Sequence, residues 1–168
     1  MDIEVVSATT PDWSREHKAF FVWNPSRALL ASIRKYQLYS NSNNISSLIF
    51  KKLAVLQHRF WSAITGADIP INTQIEGGLL IPHPNGIVIH PDVSIGVNCL
   101  IFQQVTLGSA NGSKPPQIGG HVDIGAGAKV LGNIQIGDHV KIGANAVVLI
   151  NIPTGKTAVG IPAKIINS

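Results

Sequence analysis

From residue 118 onward an aliphatic side chain returns at every sixth position: Ile118, Ile124, Val130, Ile136, Ile142 and Val148, four of the six standing directly before a glycine. Four residues after each comes a second series, Val122, Ala128, Ile134, Val140, Ala146 and Ile152, which cycles Val, Ala, Ile with a true period of eighteen. Setting IGGHVDIGAGAKVLGNIQ above IGDHVKIGANAVVLINIP gives identity at twelve of eighteen positions. An amphipathic helix repeats its apolar face about every 3.6 residues and a half-buried strand every 2, so neither explains the pattern. A six-residue period is the mark of a β-solenoid. Each hexad makes one short strand and one corner, three hexads close a triangular coil, and stacked coils align their aliphatic side chains inside. Glycine supplies corner conformations that a Cβ would obstruct.

The pattern extends upstream. Ile89, Ile95, Ile101 and Leu107 continue the first series, and Ile75, Ile81, Ile87, Val93, Cys99 and Val105 are assigned to the second. Cys99 is therefore expected to fill an interior slot as a small apolar residue. Between Leu107 and Ile118 the register breaks over GSANGSKPPQ, residues 108–117, which reads as an extruded loop. The expected fold is mainly β, a parallel β-helix over residues 67–168, preceded by a short α-helical segment over residues 1–66. In that segment SRALLASIRKYQLYS and ISSLIFKKLAVLQHRFWSAI are predicted helices separated by the polar NSNN, with Ser26 as a cap for the first. Leu48, Ile49, Leu53, Leu56, Phe60 and Ile64 share one helical face, expected to cover the open first coil or to pack on a neighbouring chain.

Composition narrows the function. A formal charge of +4 with no Lys/Arg block gives no footprint for nucleic acid. No stretch is long and apolar enough for a membrane span. The start, MDIEVVSATTPDWSREHK, has no basic residues followed by an apolar run, so a secretory leader is not expected. With Cys99 alone no intrachain disulfide can form, which fits a reducing cytoplasm. From Lys114 to the end five lysines face two aspartates. That excess suits a small anionic ligand or is ordinary solubilising charge.

One residue breaks the repeat. Counting back from Ile89 by six reaches His83, in PHPNGIVIHP, and assigns a histidine to an aliphatic slot. Departures from an otherwise consistent pattern tend to mark functional or strained sites. Pro82 and Pro84 stiffen the chain and Asn85-Gly86 adds a turn signal, so the backbone is expected to bulge and His83 to face a cleft. Asp68, fifteen residues earlier, is close to one coil away. A carboxylate holding one imidazole nitrogen leaves the other free as a base toward an alcohol. On the residues alone two readings stand: that pair, or a turn-capping Asp68 beside a structural histidine. His121 and His139, eighteen apart, stack on successive coils, but no third metal ligand accompanies them. No metal is expected, and His58 and His90 are given no role.

DIPINTQIEGGLLIPHPNGIVI, VSIGVNCLIFQQVTLGS, IGAGAKVLGNIQIGDHVKIGANAVV and AVGIPAKII together resemble the serine acetyltransferase group of hexapeptide-repeat acyltransferases, over about residues 66–166. The resemblance implies a left-handed parallel β-helix, a homotrimer or a dimer of trimers, and acetyl transfer from acetyl-CoA to a hydroxyl. It also implies that His83 is the general base and Asp68 its partner. The coenzyme groove between subunits would use Thr106 and Gly108, Gly125 and Ala126, Gly143 and Ala144, and Gly160 and Pro162, with Lys129, Lys141 or Lys164 meeting the phosphates. In that group an aspartate precedes the base and Arg-His precedes a proline in the loop; here Pro82 and Lys114-Pro115 stand there. Those family residues grip the ammonium and carboxylate of serine. The sequence closes on AKIINS, so the tail by which family members dock into O-acetylserine sulfhydrylase is not expected here.

The expected activity is thus acetyl-CoA-dependent O-acetyl transfer without a metal, in the cytoplasm, to a sugar or glycan-precursor hydroxyl. The alternatives are serine O-acetylation in cysteine biosynthesis, another small alcohol, or a non-catalytic β-helix assembly rod. A zinc enzyme like the γ-class carbonic anhydrases needs three histidines converging from adjacent subunits, and the spacings of His83, His121 and His139 do not match.

Overall fold

The computed structural model describes residues 6–19, 22–42 and 44–166. Residues 1–5 of the leader reading, Asn43 of the NSNN link, and Asn167 and Ser168 of AKIINS lie outside the described residues.

Two helices come first, α1 (Pro25–Ser40) and α2 (Ile45–Thr65). Thirteen short strands follow in chain order: β1 (Gln74–Ile75), β2 (Val88–Ile89), β3 (Ser94–Ile95), β4 (Leu100–Ile101), β5 (Thr106–Gly108), β6 (Gln117–Ile118), β7 (Asp123–Ile124), β8 (Lys129–Leu131), β9 (Gln135–Ile136), β10 (Lys141–Ile142), β11 (Val147–Val148), β12 (Thr157–Val159) and β13 (Lys164–Ile166). They form three sheets, the faces of a triangular prism. Face one is β1-β3-β6-β9, face two is β4-β7-β10-β12-β13, and face three is β2-β5-β8-β11. Every pairing between coils is parallel, and only the terminal β12–β13 pair is antiparallel.

The register explains the repeat. Gln117 pairs with Gln135, Asp123 with Lys141 and Lys129 with Val147, each eighteen residues on. The aliphatic columns point into the prism: Ile95, Ile118 and Ile136 from face one, Ile101, Ile124 and Ile142 from face two, and Leu107, Val130 and Val148 from face three are all buried. Burying one such side chain contributes about 1.5–3 kcal/mol, so many identical layers hold together strands only two or three residues long. Cys99 is fully buried in the same core.

In the first coil the register differs from simple counting by six. Asp68 bridges Val88, Gln74 pairs with Ser94, and Leu80 bridges Leu100, each twenty residues on, but Val88 pairs with Thr106, eighteen on. Ile75 and Ile81 therefore stand under Ile95 and Ile101 in the first series, not in the second. The two extra residues fall between Leu80 and Val88. The corner there runs over residues 82–86, where the next coil uses only 102–104. His83 does not replace an isoleucine. It belongs to an insertion, while Ile87 and Ile89 fill the interior slots.

The N-terminal segment differs from expectation in two ways. Asn24, not Ser26, caps α1, its side chain accepting the Arg27 amide at 3.1 Å with Pro25 opening the helix. Asn44 caps α2 in the same way through the Ser47 amide at 2.8 Å. And α1, not the apolar face of α2, closes the first coil: Leu29, Leu30 and Ile33 join the core with Ala67 and Ile69. The six apolar residues of α2 are 48–61% exposed.

Ahead of α1, residues 7–16 run along the edge between faces one and two. Asn98, buried with φ of 58°, accepts the Asp12 amide at 2.8 Å and donates to the carbonyls of Ser7 (2.7 Å) and Thr10 (2.8 Å). Arg15 donates to the carbonyl of Gly78 at 2.8 Å, and Glu16 accepts the amides of Gly78 (2.8 Å) and Leu79 (3.0 Å). Glu16 also pairs with Arg34 of α1 at 2.7 Å, tying strap, helix and first coil together.

Candidate active site

The edge between faces two and three carries most of the residues that the sequence singles out. Its corners are tied by backbone hydrogen bonds from coil to coil. The Gly86 amide donates to Gly66 (2.8 Å), Gln104 to Asn85 (3.0 Å), Gly127 to Gln103 (2.9 Å) and Asn145 to Ala126 (2.8 Å). At the top of this column is the five-residue His83 turn. Below it lie Gly125-Ala126 and Gly143-Ala144, and Gly160 and Pro162 follow at the last corner. Thr106, Gly108 and Lys129 flank the column on face three, with Thr106 paired to Lys129 and Gly108 to Leu131. Lys141 and Lys164 lie on face two. The Lys129 ammonium donates to the Gln104 carbonyl at 2.6 Å, at this edge.

The corners suit a long ligand that needs amide donors. A Cβ on Gly125 would meet the backbone of the next coil, with Ala144 N at 2.6 Å, so the coils stack closely here. Among the described residues the amides of Ala126 and Ala144 make no hydrogen bond within the chain. Both residues are partly or fully open to solvent, and they present like groups one coil apart. An amide with no partner in the chain is available to an acceptor from outside.

His83 is exposed and lines a cleft of about 440 Å³ with Trp23, Asn24 and Pro25 from the start of α1 and Ile64 and Thr65 from the end of α2. Asp68 sits on the same edge one coil back, two residues after Gly66. Among the described residues no hydrogen bond joins the Asp68 carboxylate to His83. The Asp68 charge instead acts on His58 of α2, whose Nε2 contacts the Ile69 carbonyl at 2.9 Å. Burial holds the His58 imidazole below its ordinary range, and the Ile69 carbonyl and the Asp68 charge pull the other way. Sequence reasoning gave His58 no role, because nothing in the local pattern of α2 tells which turn faces Asp68. The Trp23-Asn24 wall of the cleft was also missed; the Asn-Pro pair is a readable helix start and locates it.

The loop residues Lys114 and Pro115 lie elsewhere. With His90, Asp92 and Gln117 they line a second cleft of about 570 Å³ between faces three and one. One chain therefore holds the two clefts on opposite edges of face three. His121 and His139 stack at the remaining edge, their Nδ1 atoms 2.8 Å apart. Among the described residues no three His, Cys, Asp or Glu side chains converge as a metal site.

This three-faced prism, with one short strand and one corner per hexad, is a hexapeptide-repeat fold. Residues 115–149 match the family model described as bacterial transferase hexapeptide (six repeats). A serine acetyltransferase of Staphylococcus epidermidis is 35% identical over 168 residues, covering 98% of this chain and 76% of the relative. One of Synechococcus elongatus is 45% identical over 106 residues, 61% of this chain and 43% of the relative. The structure of a Brucella abortus serine acetyltransferase in complex with coenzyme A aligns with a TM-score of 0.74 and 32% identity, covering 88% of this chain and 58% of that one. The chain belongs to the serine acetyltransferase family, and its prism is the left-handed parallel β-helix of that family. It spans less than two thirds of the Synechococcus and Brucella proteins. These relatives are named for serine, and none of the three supports the sugar acceptor expected from the sequence.

Proposed function

We propose that the chain is an acetyl-CoA-dependent O-acetyltransferase that acts on the hydroxyl of L-serine. The observation that carries the reading is the shared edge: the exposed His83 turn heads the column of corners that offers free amides at Ala126 and Ala144. A Brucella relative described with coenzyme A and the serine acetyltransferase names support it.

His83 takes the proton from the acceptor hydroxyl as its oxygen attacks the acetyl carbonyl carbon. Asp68, on the same edge one coil back, fixes which imidazole nitrogen faces the acceptor. Amides at the edge stabilise the developing oxyanion. The C–S bond then breaks, and His83 returns the proton to the departing thiolate, giving the O-acetyl ester and free coenzyme A. Thr106, Gly108, Gly125, Ala126, Gly143, Ala144, Gly160 and Pro162 line the pantetheine path, and Lys129, Lys141 or Lys164 holds the phosphates.

The protein works as a homotrimer. The His83 cleft and the Lys114 cleft lie on opposite edges of face three, so a neighbouring copy is needed to bring a loop to a histidine. Lys114 from that loop supplies a cation for the serine carboxylate.

A second reading keeps the chemistry and changes the acceptor to a sugar hydroxyl. It rests on the His83 cleft itself, whose lining carries no Asp, Glu, Lys or Arg side chain, with Pro82 beside His83. A site without fixed charges favours a neutral alcohol over a zwitterion. Release of free thiol from acetyl-CoA, measured with L-serine and with a panel of sugars and nucleotide sugars, decides between them. Stimulation by serine alone supports the first reading, stimulation by a sugar alone the second, and no stimulation by any acceptor contradicts both.

A further inference from the structure

We infer that Asn111 is a self-modification site: its side-chain amide is lost without an enzyme and leaves a carboxylate on the loop that carries Lys114. The chain has two Asn-Gly pairs, Asn85-Gly86 and Asn111-Gly112. Such a pair is labile because glycine has no Cβ to keep its amide nitrogen from reaching the asparagine side chain. The reaction also needs that amide free and the local backbone able to swing. Both asparagines are exposed, so water is equally at hand. The fold separates them by hydrogen bonding instead.

Asn85-Gly86 is held shut. The Gly86 amide donates to the Gly66 carbonyl at 2.8 Å, the Gln104 amide donates to the Asn85 carbonyl at 3.0 Å, and the Ile87 amide closes the turn on Pro84 at 3.2 Å. Attack through the Gly86 nitrogen would first break the bond to Gly66. Asn111-Gly112 lies at the tip of the extruded loop, with φ of 50° and 73°. Its turn is closed by one backbone bond, from the Ser113 amide to the Ala110 carbonyl at 2.9 Å, and by a long contact between the Ala110 amide and the Ser113 hydroxyl at 3.4 Å. Among the described residues the Gly112 amide makes no hydrogen bond. Beyond its chain neighbours no heavy atom lies within 4 Å of where a Gly112 Cβ would stand. A segment with so few contacts opens locally at low cost.

The chemistry balances with water alone. The Gly112 nitrogen bonds to Cγ of Asn111, the Cγ–Nδ2 bond breaks, and the Gly112 amide proton leaves with the side-chain nitrogen as ammonia. Water then opens the resulting succinimide at either carbonyl, giving aspartate or isoaspartate at position 111. Gly112, Ser113 and Lys114 line the loop cleft together with His90 and Asp92. The consequence for activity rests on the proposed role of Lys114 toward the serine carboxylate. A carboxylate three residues away, added to Asp92, competes with the acceptor for the Lys114 ammonium. An aged chain therefore binds serine more weakly while His83 is untouched.

The test is peptide mass mapping of the full native chain after incubation in mildly alkaline buffer, with the aspartate and isoaspartate peptides separated chromatographically. The expected result is amide-to-acid exchange at Asn111 at least tenfold faster than at Asn85. In denaturant the two pairs should react at rates within a few-fold of each other, because the bonds that protect Asn85 are gone. Asn111→Gln should abolish exchange at that position, since the longer side chain cannot close a five-membered ring, and should keep wild-type turnover. Asn111→Asp should raise KM for L-serine several-fold at unchanged kcat. Exchange at Asn111 no faster than at Asn85 in the native chain overturns the inference, and so does a tenfold difference that persists in denaturant. A wild-type KM in Asn111→Asp overturns the coupling to Lys114. If serine stimulates no turnover in any of these chains, the proposed function fails while the mass map still decides the modification.

Discussion

The amide of Gly86 donates to the carbonyl of Gly66 at 2.8 Å, and Gly66 is the left-handed residue that ends α2. One bond thus seats the far end of the His83 turn on the helix cap. Gly66 has φ of 66°, and a Cβ there would lie 2.7 Å from Nδ2 of Asn85, inside the turn. Gly66→Ala is expected to cost about 1 kcal/mol for the left-handed conformation and to displace Asn85. The check is thermal melting together with acetyl-CoA turnover, and turnover should fall further than the loss of stability alone explains.

The strap of residues 7–16 is held chiefly through Asn98. Asn98→Ala removes three part-buried hydrogen bonds to the strap, each worth about 0.5–1.5 kcal/mol. Gly120→Ala attacks the same contact from the other side, because a Cβ there would collide with the Ala8 carbonyl oxygen. In both variants limited proteolysis should cut near residues 7–16 sooner than in wild type, while the coil itself resists.

Stability should fall on mild acidification. Burial holds His58 and His121 below the ordinary imidazole value of 6.5 in the folded chain. As pH falls through that value the unfolded chain binds protons first, so the folded state loses ground from about pH 6.5 downward until its own imidazoles protonate. Above neutrality both groups are neutral in both states and contribute nothing. Denaturant midpoints measured between pH 7.5 and 5 check this, and His58→Gln with His121→Gln should flatten the slope.

Cys99 should be inert in the native protein. It is fully buried, and burial pushes its thiol up to about 12. Since the thiolate is the reactive form, a thiol reagent should label Cys99 only after denaturation. Thiol-release assays can then be read without a contribution from the protein's own thiol.

The β-helix was legible because stacking coils demand the same residue type at the same corner, so the eighteen-residue period in the chain is the pairing of Gln117 with Gln135 and Asp123 with Lys141. Counting back by six could not place His83, because an inserted pair of residues and a substituted one look alike in a single sequence. Only the twenty-residue steps from Asp68 to Val88 and Leu80 to Leu100 distinguish them. The apolar face of α2 was legible as a face but not as an outward one. Amphipathicity says that a stripe needs a partner, and Leu29, Leu30 and Ile33 of α1 had already taken the coil end. The proposed coenzyme edge was readable only through resemblance, since backbone amides such as those of Ala126 and Ala144 leave no residue signature.

The most direct test of the account is His83→Ala, assayed for free thiol release from acetyl-CoA with saturating L-serine, with coenzyme A affinity measured on the same preparation. Loss of the general base should lower kcat by about 10²–10⁴ while coenzyme A binding stays within a few-fold of wild type. Turnover in the variant equal to wild type would contradict it, and His83 would then be only part of the turn.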